Sequence, residues 1–363
     1  YDNFYNKRGG KLGKFNVHLF YYKNLLKIIK MKKHRFPYEW TLKDANFTKD
    51  KGTVFSCFAC GGGSTMGYKL AGFDVLGCNE IDPKMIEAYK ANHNPKYAYL
   101  EPIQTFKLRK DLPRELYNLD ILDGSPPCSS FSMAGNREKD WGKDKKFREG
   151  QAEQVLDTLF FDFIDLAKEL QPKVVVAENV AGMMMGAAKE YVKKVYKGFK
   201  EAGYQLRIEP YLLDASKMGV PQRRRRVFFI ALRNDLAQQF MEQVDIFQQA
   251  PMLELNFNEK EIRAKKVIEK GKNIGENTTY LENRFGDVLI DREKVCNTLV
   301  TRNRYFYDLQ HYLSNDTLKK VGSYPMDYDF KGLQPLYLIG MSVPPVMTAQ
   351  IATEIYNQWL KNI

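Results

Sequence analysis

The 363-residue sequence predicts an α/β fold: a doubly wound parallel sheet covered by helices, with a smaller inserted domain. Two observations carry this. From about Val54 to Arg233, short apolar runs alternate with stretches of helical length, the rhythm of β-α units in a parallel sheet. Beyond Arg233 the rhythm stops, and 234–312 is rich in Gln, Asn, Lys and Glu with no βα repeat.

The elements follow in order. Val54–Phe58 reads as the first strand, and the glycines after it lead into a helix over Ser64–Ala71. Phe73–Asn79 reads as a second strand ending at Glu80. Asp82-Pro83 then has the form of an N-cap followed by proline in the first turn, opening a helix to about Asn92. A strand at Leu119–Leu122, a helix at Gln151–Leu170, a strand at Val174–Ala177, a helix at Ala188–Ala202 and a strand at Val227–Leu232 continue the series. Thr348–Leu360 is helical again. The implied domains are a basic arm over 1–40, a main body of 41–233 with 338–363, and an inserted domain over 234–337.

Composition narrows the class. An apolar content of 44% is ordinary for a soluble globular chain, and no uninterrupted apolar stretch reaches the roughly 18 residues of a membrane span. Five cysteines in so long a chain do not form a disulfide framework; free thiols fit a reducing compartment, and the expected location is cytoplasmic. Cys57-Phe58-Ala59-Cys60 has no second pair and the histidines number only four, so no metal site is expected. The net charge of +12 is concentrated: residues 1–36 carry ten basic side chains against Asp2 and account for +9 of it. Such an arm suits phosphates or acidic partners, or is a solvated appendage.

Several short motifs carry chemistry. In Asp120-Ile121-Leu122-Asp123-Gly124-Ser125-Pro126-Pro127-Cys128, one cysteine follows an apolar strand in a loop stiffened by two prolines, where open α/β sheets keep their reactive groups. A buried turn cysteine is the plain alternative. Phe58-Ala59-Cys60-Gly61-Gly62-Gly63 is a glycine-rich turn between strand and helix, which lets backbone approach a ligand. It lacks the G-x-G-x-x-G spacing of dinucleotide sites. Glu80, at a strand end, suits the two hydroxyls of a ribose, or is a solvated acid. Glu178-Asn179-Val180 ends another strand, and Gln222-Arg223-Arg224-Arg225-Arg226 places Arg224 and Arg226 on one side of an extended segment, with Arg223 and Arg225 on the solvated side.

With Gly340-Met341-Ser342-Val343-Pro344-Pro345, these motifs stand in one order, and that ordered set resembles the DNA (cytosine-5)-methyltransferase family over roughly Thr53–Arg233 and Leu313–Trp359. The resemblance implies a Rossmann-like domain dependent on S-adenosylmethionine, a small inserted target-recognition domain, and methylation of carbon 5 of a flipped cytosine in double-stranded DNA. It implies Cys128 as nucleophile, Glu178 as the acid at N3, Arg226 at the cytosine O2 and Arg224 bracing the acid. It implies a cofactor pocket of Phe58, Ala59, Gly61, Gly62, Gly63, Glu80, Ile81, Ile103, Pro127, Ser342 and Val343. The loop Gly135–Arg148, with Lys139, Lys143, Lys145 and Lys146, becomes a basic lid. Cys296–Thr301 resembles the threonine-containing end of the variable region, leaving about 60 residues, Asn234–Val295, to read bases. The chain departs from the family pattern at Cys60 and Ser129, at Met341 in place of asparagine, and at Glu101-Pro102-Ile103, where an aspartate is usual. A monomer without membrane contact is expected. The rival readings are the same chemistry on RNA, a non-catalytic nucleic-acid binder on this scaffold and, more distantly, a nicotinamide oxidoreductase.

Overall fold

Apolar runs separated by helical stretches fold into one sheet because each strand has two faces to cover and the helices supply both covers. The computed structural model describes residues 34–127, 158–185, 188–244, 249–268, 286–308 and 311–363, with the backbone of Asp144–Lys145 and Gln154–Val155. The chain divides into two units, 1–35 and 36–363, and the described residues lie in the second apart from His34 and Arg35. Cys128, Ser129, the expected lid other than the backbone of Asp144–Lys145, and residues 1–33 of the basic arm lie outside the described residues.

The elements are β1 (Thr53–Cys57), α1 (Gly63–Leu70), β2 (Asp74–Glu80), α2 (Pro83–His93), β3 (Tyr97–Leu100), α3 (Ile103–Phe106), β4 (Ile121–Gly124), β5 (Asp144–Lys145), β6 (Gln154–Val155), α4 (Leu159–Leu170), β7 (Val174–Val180), α5 (Ala188–Glu201), β8 (Tyr204–Leu206), β9 (Tyr211–Asp214) and β10 (Arg225–Arg233). After them come α6 (Asn234–Ala237), β11 (Met241–Gln243), β12 (Gln249–Pro251), β13 (Asp287–Leu289), β14 (Arg304–Phe306), α7 (Asn315–Val321), α8 (Pro335–Met341) and α9 (Pro345–Gln358). Asp82 caps α2 as its sequence implies, its carboxylate accepting from the N–H groups of Lys84 and Met85.

The main sheet runs β3-β2-β1-β4-β7-β10-β8, with β9 also paired to β10. β3, β2, β1, β4 and β7 are parallel. β10 is antiparallel to β7, β8 and β9, so the sheet is mixed and not parallel throughout as the rhythm implied. The chain reaches β10 from β9 through a connection too short for a crossover helix, which forces reversal. A second correction concerns α4, which starts at Leu159 and not at Gln151; Gln154–Val155 instead pairs with Asp144–Lys145 as a small antiparallel ladder.

Alternation along the strands divides the core. Phe55, Leu122, Val175, Ala177 and Phe229 face α4 and α5. Val54, Ile121, Val174, Val176, Phe228 and Ile230 face Tyr68 of α1 and Val346, Ile351 and Ile355 of α9. Buried aliphatic and aromatic side chains of this kind contribute about 1.5–3 kcal/mol each. The stretch Pro335–Asn362 is apolar enough for a membrane span by length and composition, but 78% of its apolar 18-residue window is buried inside this fold, where it serves as core.

The segment 234–337 does not separate as a unit of its own. Leu253 and Leu255 join the core beneath α9, Trp359 donates from its indole N–H to Met252 O at 2.8 Å, and Ile262, Leu299 and Leu313 share a core with Trp40, Met66 and Met85.

Candidate active site

The sheet order sets the site. β2, β1, β4 and β7 are adjacent and parallel, so Glu80, the glycine turn, the Pro126-Pro127 loop and Glu178 all emerge at one end.

The turn after β1 is strained. Phe58 and Cys60 have φ of 51° and 47°, left-handed values that non-glycine residues adopt at a cost, and Gly62 has φ 83°. What holds them is Glu80, itself 6% exposed: its Oε2 accepts the Cys60 N–H at 2.7 Å and its Oε1 the N–H groups of Ile81 and Asp82 at 2.9 Å each. Burial raises the Glu80 pKa, and these backbone donors oppose the rise. Oε2 takes one N–H and keeps a lone pair, so the carboxylate remains able to accept a ribose hydroxyl. The half-buried Phe58 ring lies tilted against Phe163, centroids 6.4 Å apart, and Ile103 is buried at 2% exposure. An acceptor flanked by apolar surface fits the adenosine half of S-adenosylmethionine.

The glycines themselves have a cause other than ligand approach. A Cβ on Gly61 would lie 2.6 Å from both Leu338 Cδ1 and Tyr328 OH; one on Gly62 would strike His93 Nε2; one on Gly63 would lie 2.5 Å from Val343 O and 2.8 Å from Ser342 Cβ. The Tyr328 hydroxyl donates to Gly61 O at 2.6 Å. The turn is thus small because α2, Tyr328 and the Leu338–Val343 segment close on it from the protein side. His93 there is buried and neutral, its pKa pushed down to about 3 by burial. Glu101 is bound by Arg109 Nη1 at 2.8 Å and by the Thr105 hydroxyl at 3.1 Å.

At the end of β7, Glu178 is 9% exposed and Arg226 Nε lies 2.9 Å from its Oε1. In the β7–β10 ladder Glu178 faces Phe228 and Arg226 faces Val180, so the two side chains are diagonal neighbours on one face. Asn179 Nδ2 donates to Pro126 O at 3.0 Å, binding β7 to the loop that enters Cys128.

The expected brace is therefore corrected: Arg226, not Arg224, pairs with the acid. Arg224 is 2% exposed and donates to two main-chain carbonyls, Leu299 O at 3.2 Å and Gly340 O at 2.9 Å. Lying before β10 begins, it is one step too far along the strand to be the diagonal neighbour of Glu178. Burial pushes its pKa down to about 9. Gln222 works beside it, donating to Val321 O at 3.3 Å and accepting the Leu299 N–H at 3.1 Å. Gln222 and Arg224 thus fasten the Cys296–Leu299 segment and α8 onto the sheet, while Arg223 and Arg225 are exposed as alternation predicts.

Sequence reading missed a cluster beside these groups. Asp123, 4% exposed, accepts from Ser56 Oγ at 2.7 Å, Ser64 Oγ at 2.8 Å and Tyr68 OH at 3.1 Å. The available signal was an acid at an inward position of an apolar strand, two residues after Ile121. A groove of about 690 Å³ beside α5, lined by Met183, Tyr196 and Ile208 among others, includes none of these acids or arginines. Among the described residues, no cluster of His, Cys, Asp and Glu is placed to hold a metal ion.

Residues 52–312 match the model of the C-5 cytosine-specific DNA methylases. The chain is 36% identical over 183 residues to the Type II methyltransferase M.FnuDI of Fusobacterium nucleatum, covering 50% of this chain and 47% of the relative. It is 26% identical over 333 residues to M1.HphI of Haemophilus parahaemolyticus, covering 84% and 86%. Against most of the first relatives it matches, the chain spans about half their length. A solved DNMT2 mutant of Spodoptera frugiperda superposes with a TM-score of 0.60 at 16% identity over 84% of this chain and 99% of that one, a likeness of fold. Motif order, sheet topology and the matched span together place this chain in the C-5 cytosine-specific DNA methylase family.

Proposed function

We propose that the protein transfers a methyl group from S-adenosylmethionine to carbon 5 of a cytosine flipped out of duplex DNA. The observation that carries the reading is the pair of the buried Glu178, near the end of β7, with the largely buried Arg226 of β10, joined through Asn179 to the loop that leads into Cys128.

The donor supplies an electrophilic methyl. Carbon 5 of cytosine is a weak nucleophile, and a thiolate bond from Cys128 to carbon 6 pushes the ring electrons toward carbon 5. Glu178 holds a proton at N3 while that charge develops, and Arg226 keeps the carboxyl in place and stands next to the cytosine O2. After methylation, water takes the carbon 5 proton, the carbon 6–sulfur bond breaks with its electrons returning to Cys128 as thiolate, and the aromatic ring is restored. Glu80 takes a ribose hydroxyl; Phe58, Ala59, Ile81, Ile103, Pro127 and the Gly61–Gly63 turn, backed by Ser342 and Val343, form the walls of the pocket. Residues 41–233 with 338–363 form the catalytic body, and 234–337 supply base recognition, with the arm 1–40 on phosphates.

The test uses matched DNA and RNA carrying 5-fluorocytosine, which blocks the final proton loss. With S-adenosylmethionine present, a denaturation-resistant adduct should form on DNA with the wild type and not with Cys128→Ser. An adduct on RNA alone would move the substrate to RNA; none on either would remove the catalytic reading.

A further inference from the structure

The carboxylate of Asp123 is buried, ionisable and, among the described residues, paired with no Lys, Arg or His side chain. Its three partners are hydroxyls from β1 and α1. Burial nevertheless outweighs those donors and raises its pKa to about 6, so at neutral pH the fold carries an uncompensated buried charge. An asparagine would tie Ser56, Ser64 and Tyr68 together without that cost. The charge therefore calls for a cation that the described residues do not provide.

Sheet order indicates where such a cation would lie. On the reading proposed above, on which this inference rests, Glu80 at the end of β2 holds the ribose, and the base sits between the loop after β4 and Glu178 at the end of β7. The methyl would then travel from the β2 side toward β4 and β7, and because β1 and β4 stand between β2 and β7 the sulfur that carries it would lie on their side. Asp123 is in β4, in register with Ser56 of β1, and bonded to Ser64 in the first turn of α1. Its field already reaches its surroundings: burial raises the pKa of Cys57 in β1, Tyr68 in α1 and Tyr89 in α2, and the Asp123 charge adds to each rise, as Glu178 of β7 adds to that of Asp123.

We infer that Asp123 supplies the negative charge facing the sulfonium of S-adenosylmethionine, so that the pocket prefers the cationic donor over S-adenosylhomocysteine, its neutral thioether product. The two ligands share adenosine, ammonium and carboxylate groups and differ at sulfur only by a methyl group and a positive charge. Loss of that charge on transfer removes the attraction to Asp123 and favours product release. Asp123 acts through space and through Ser64, as a positioning and selectivity residue.

The experiment is calorimetric binding of each ligand to the full chain, without DNA, together with sinefungin, which carries an amine in place of the methylated sulfur. The wild type should bind S-adenosylmethionine and sinefungin more tightly than S-adenosylhomocysteine. In Asp123→Asn that preference should fall by about five- to tenfold with the thioether bound nearly as before. Tyr68→Phe, which keeps the carboxylate, should preserve the preference. The wild type alone gives a test independent of any variant's folding: its preference should fade as pH falls through about 6 and Asp123 takes up a proton. Equal weakening of all three ligands in Asp123→Asn, or a preference unchanged in the variant or between pH 7.5 and pH 5, would overturn the inference while leaving the methyl-donor reading intact. Failure of the wild type to bind any of the three would overturn that reading as well.

Discussion

Asn179 hands its side-chain N–H to the carbonyl of Pro126 at 3.0 Å, so the strand that presents Glu178 and the loop that enters Cys128 are held in one frame. The proposed reaction needs acid and nucleophile on one ring at the same time, and this bond extends the β4–β7 ladder to the loop itself.

Asn179→Ala should lower kcat by about ten- to a hundredfold while leaving the dissociation constant for S-adenosylmethionine within about twofold, because misplacement of a reacting group by a fraction of an ångström acts on the chemical step. Single-turnover kinetics with calorimetric cofactor binding checks it. Equal losses in both quantities would mean that the bond supports the whole pocket.

Arg226→Ala and Arg224→Ala should fail in different ways. Arg226 touches the acid, so its loss should cut turnover by at least about a hundredfold with a modest effect on melting. Arg224 binds Leu299 O and Gly340 O from full burial, and its truncation leaves those carbonyls without a donor, a loss of about 3 kcal/mol. Denaturant unfolding followed alongside methyl transfer separates the two.

Cys60→Gly should stabilise the protein by about 0.5–1 kcal/mol, since a left-handed φ of 47° suits glycine and the N–H bond to Glu80 is unaffected. Gly62→Ala should do the opposite, because its Cβ would meet the buried His93 ring at a φ of 83°. Thermal melts of the two variants should move in opposite directions.

Asp123 gives a pH prediction. Its carboxyl titrates near 3.8 unfolded and at about 6 folded, so between those values the folded chain holds a proton that the unfolded chain has released. Stability from this group is full below about pH 4 and is lost as pH rises through about 6. Asp123→Asn removes that loss, and the variant should be more stable than wild type at pH 7.5 by up to roughly 3 kcal/mol, with the difference shrinking toward pH 4. Chemical unfolding of both proteins at several pH values tests this. A variant less stable than wild type at pH 7.5 would mean that the hydroxyl bonds outweigh burial.

The sequence by itself was enough for the elements whose signals are local. β1, β2, β4, β7 and β10 are apolar runs, and Asp82-Pro83 announces the start of α2; period and capping are properties of neighbouring residues. The motif order likewise pointed to the groups proposed to react. Tertiary structure decided the rest. The half-exposed strand Tyr97–Leu100 and the short edge strands Tyr204–Leu206 and Tyr211–Asp214 exist because a neighbour offers them a ladder, and the reversal of β10 has no trace in its apolar pattern, since periodicity carries no direction. Gly61, Gly62 and Gly63 are small because Leu338, His93 and Val343, from 31 to 280 residues away in the chain, close on them. Arg224 and Arg226 are alike in sequence and lie two residues apart, yet one meets main-chain carbonyls and the other a carboxylate. The physical reason is the same in each case: a side chain's role is set by the groups that folding brings to its polar atoms, and those groups come from distant parts of the chain.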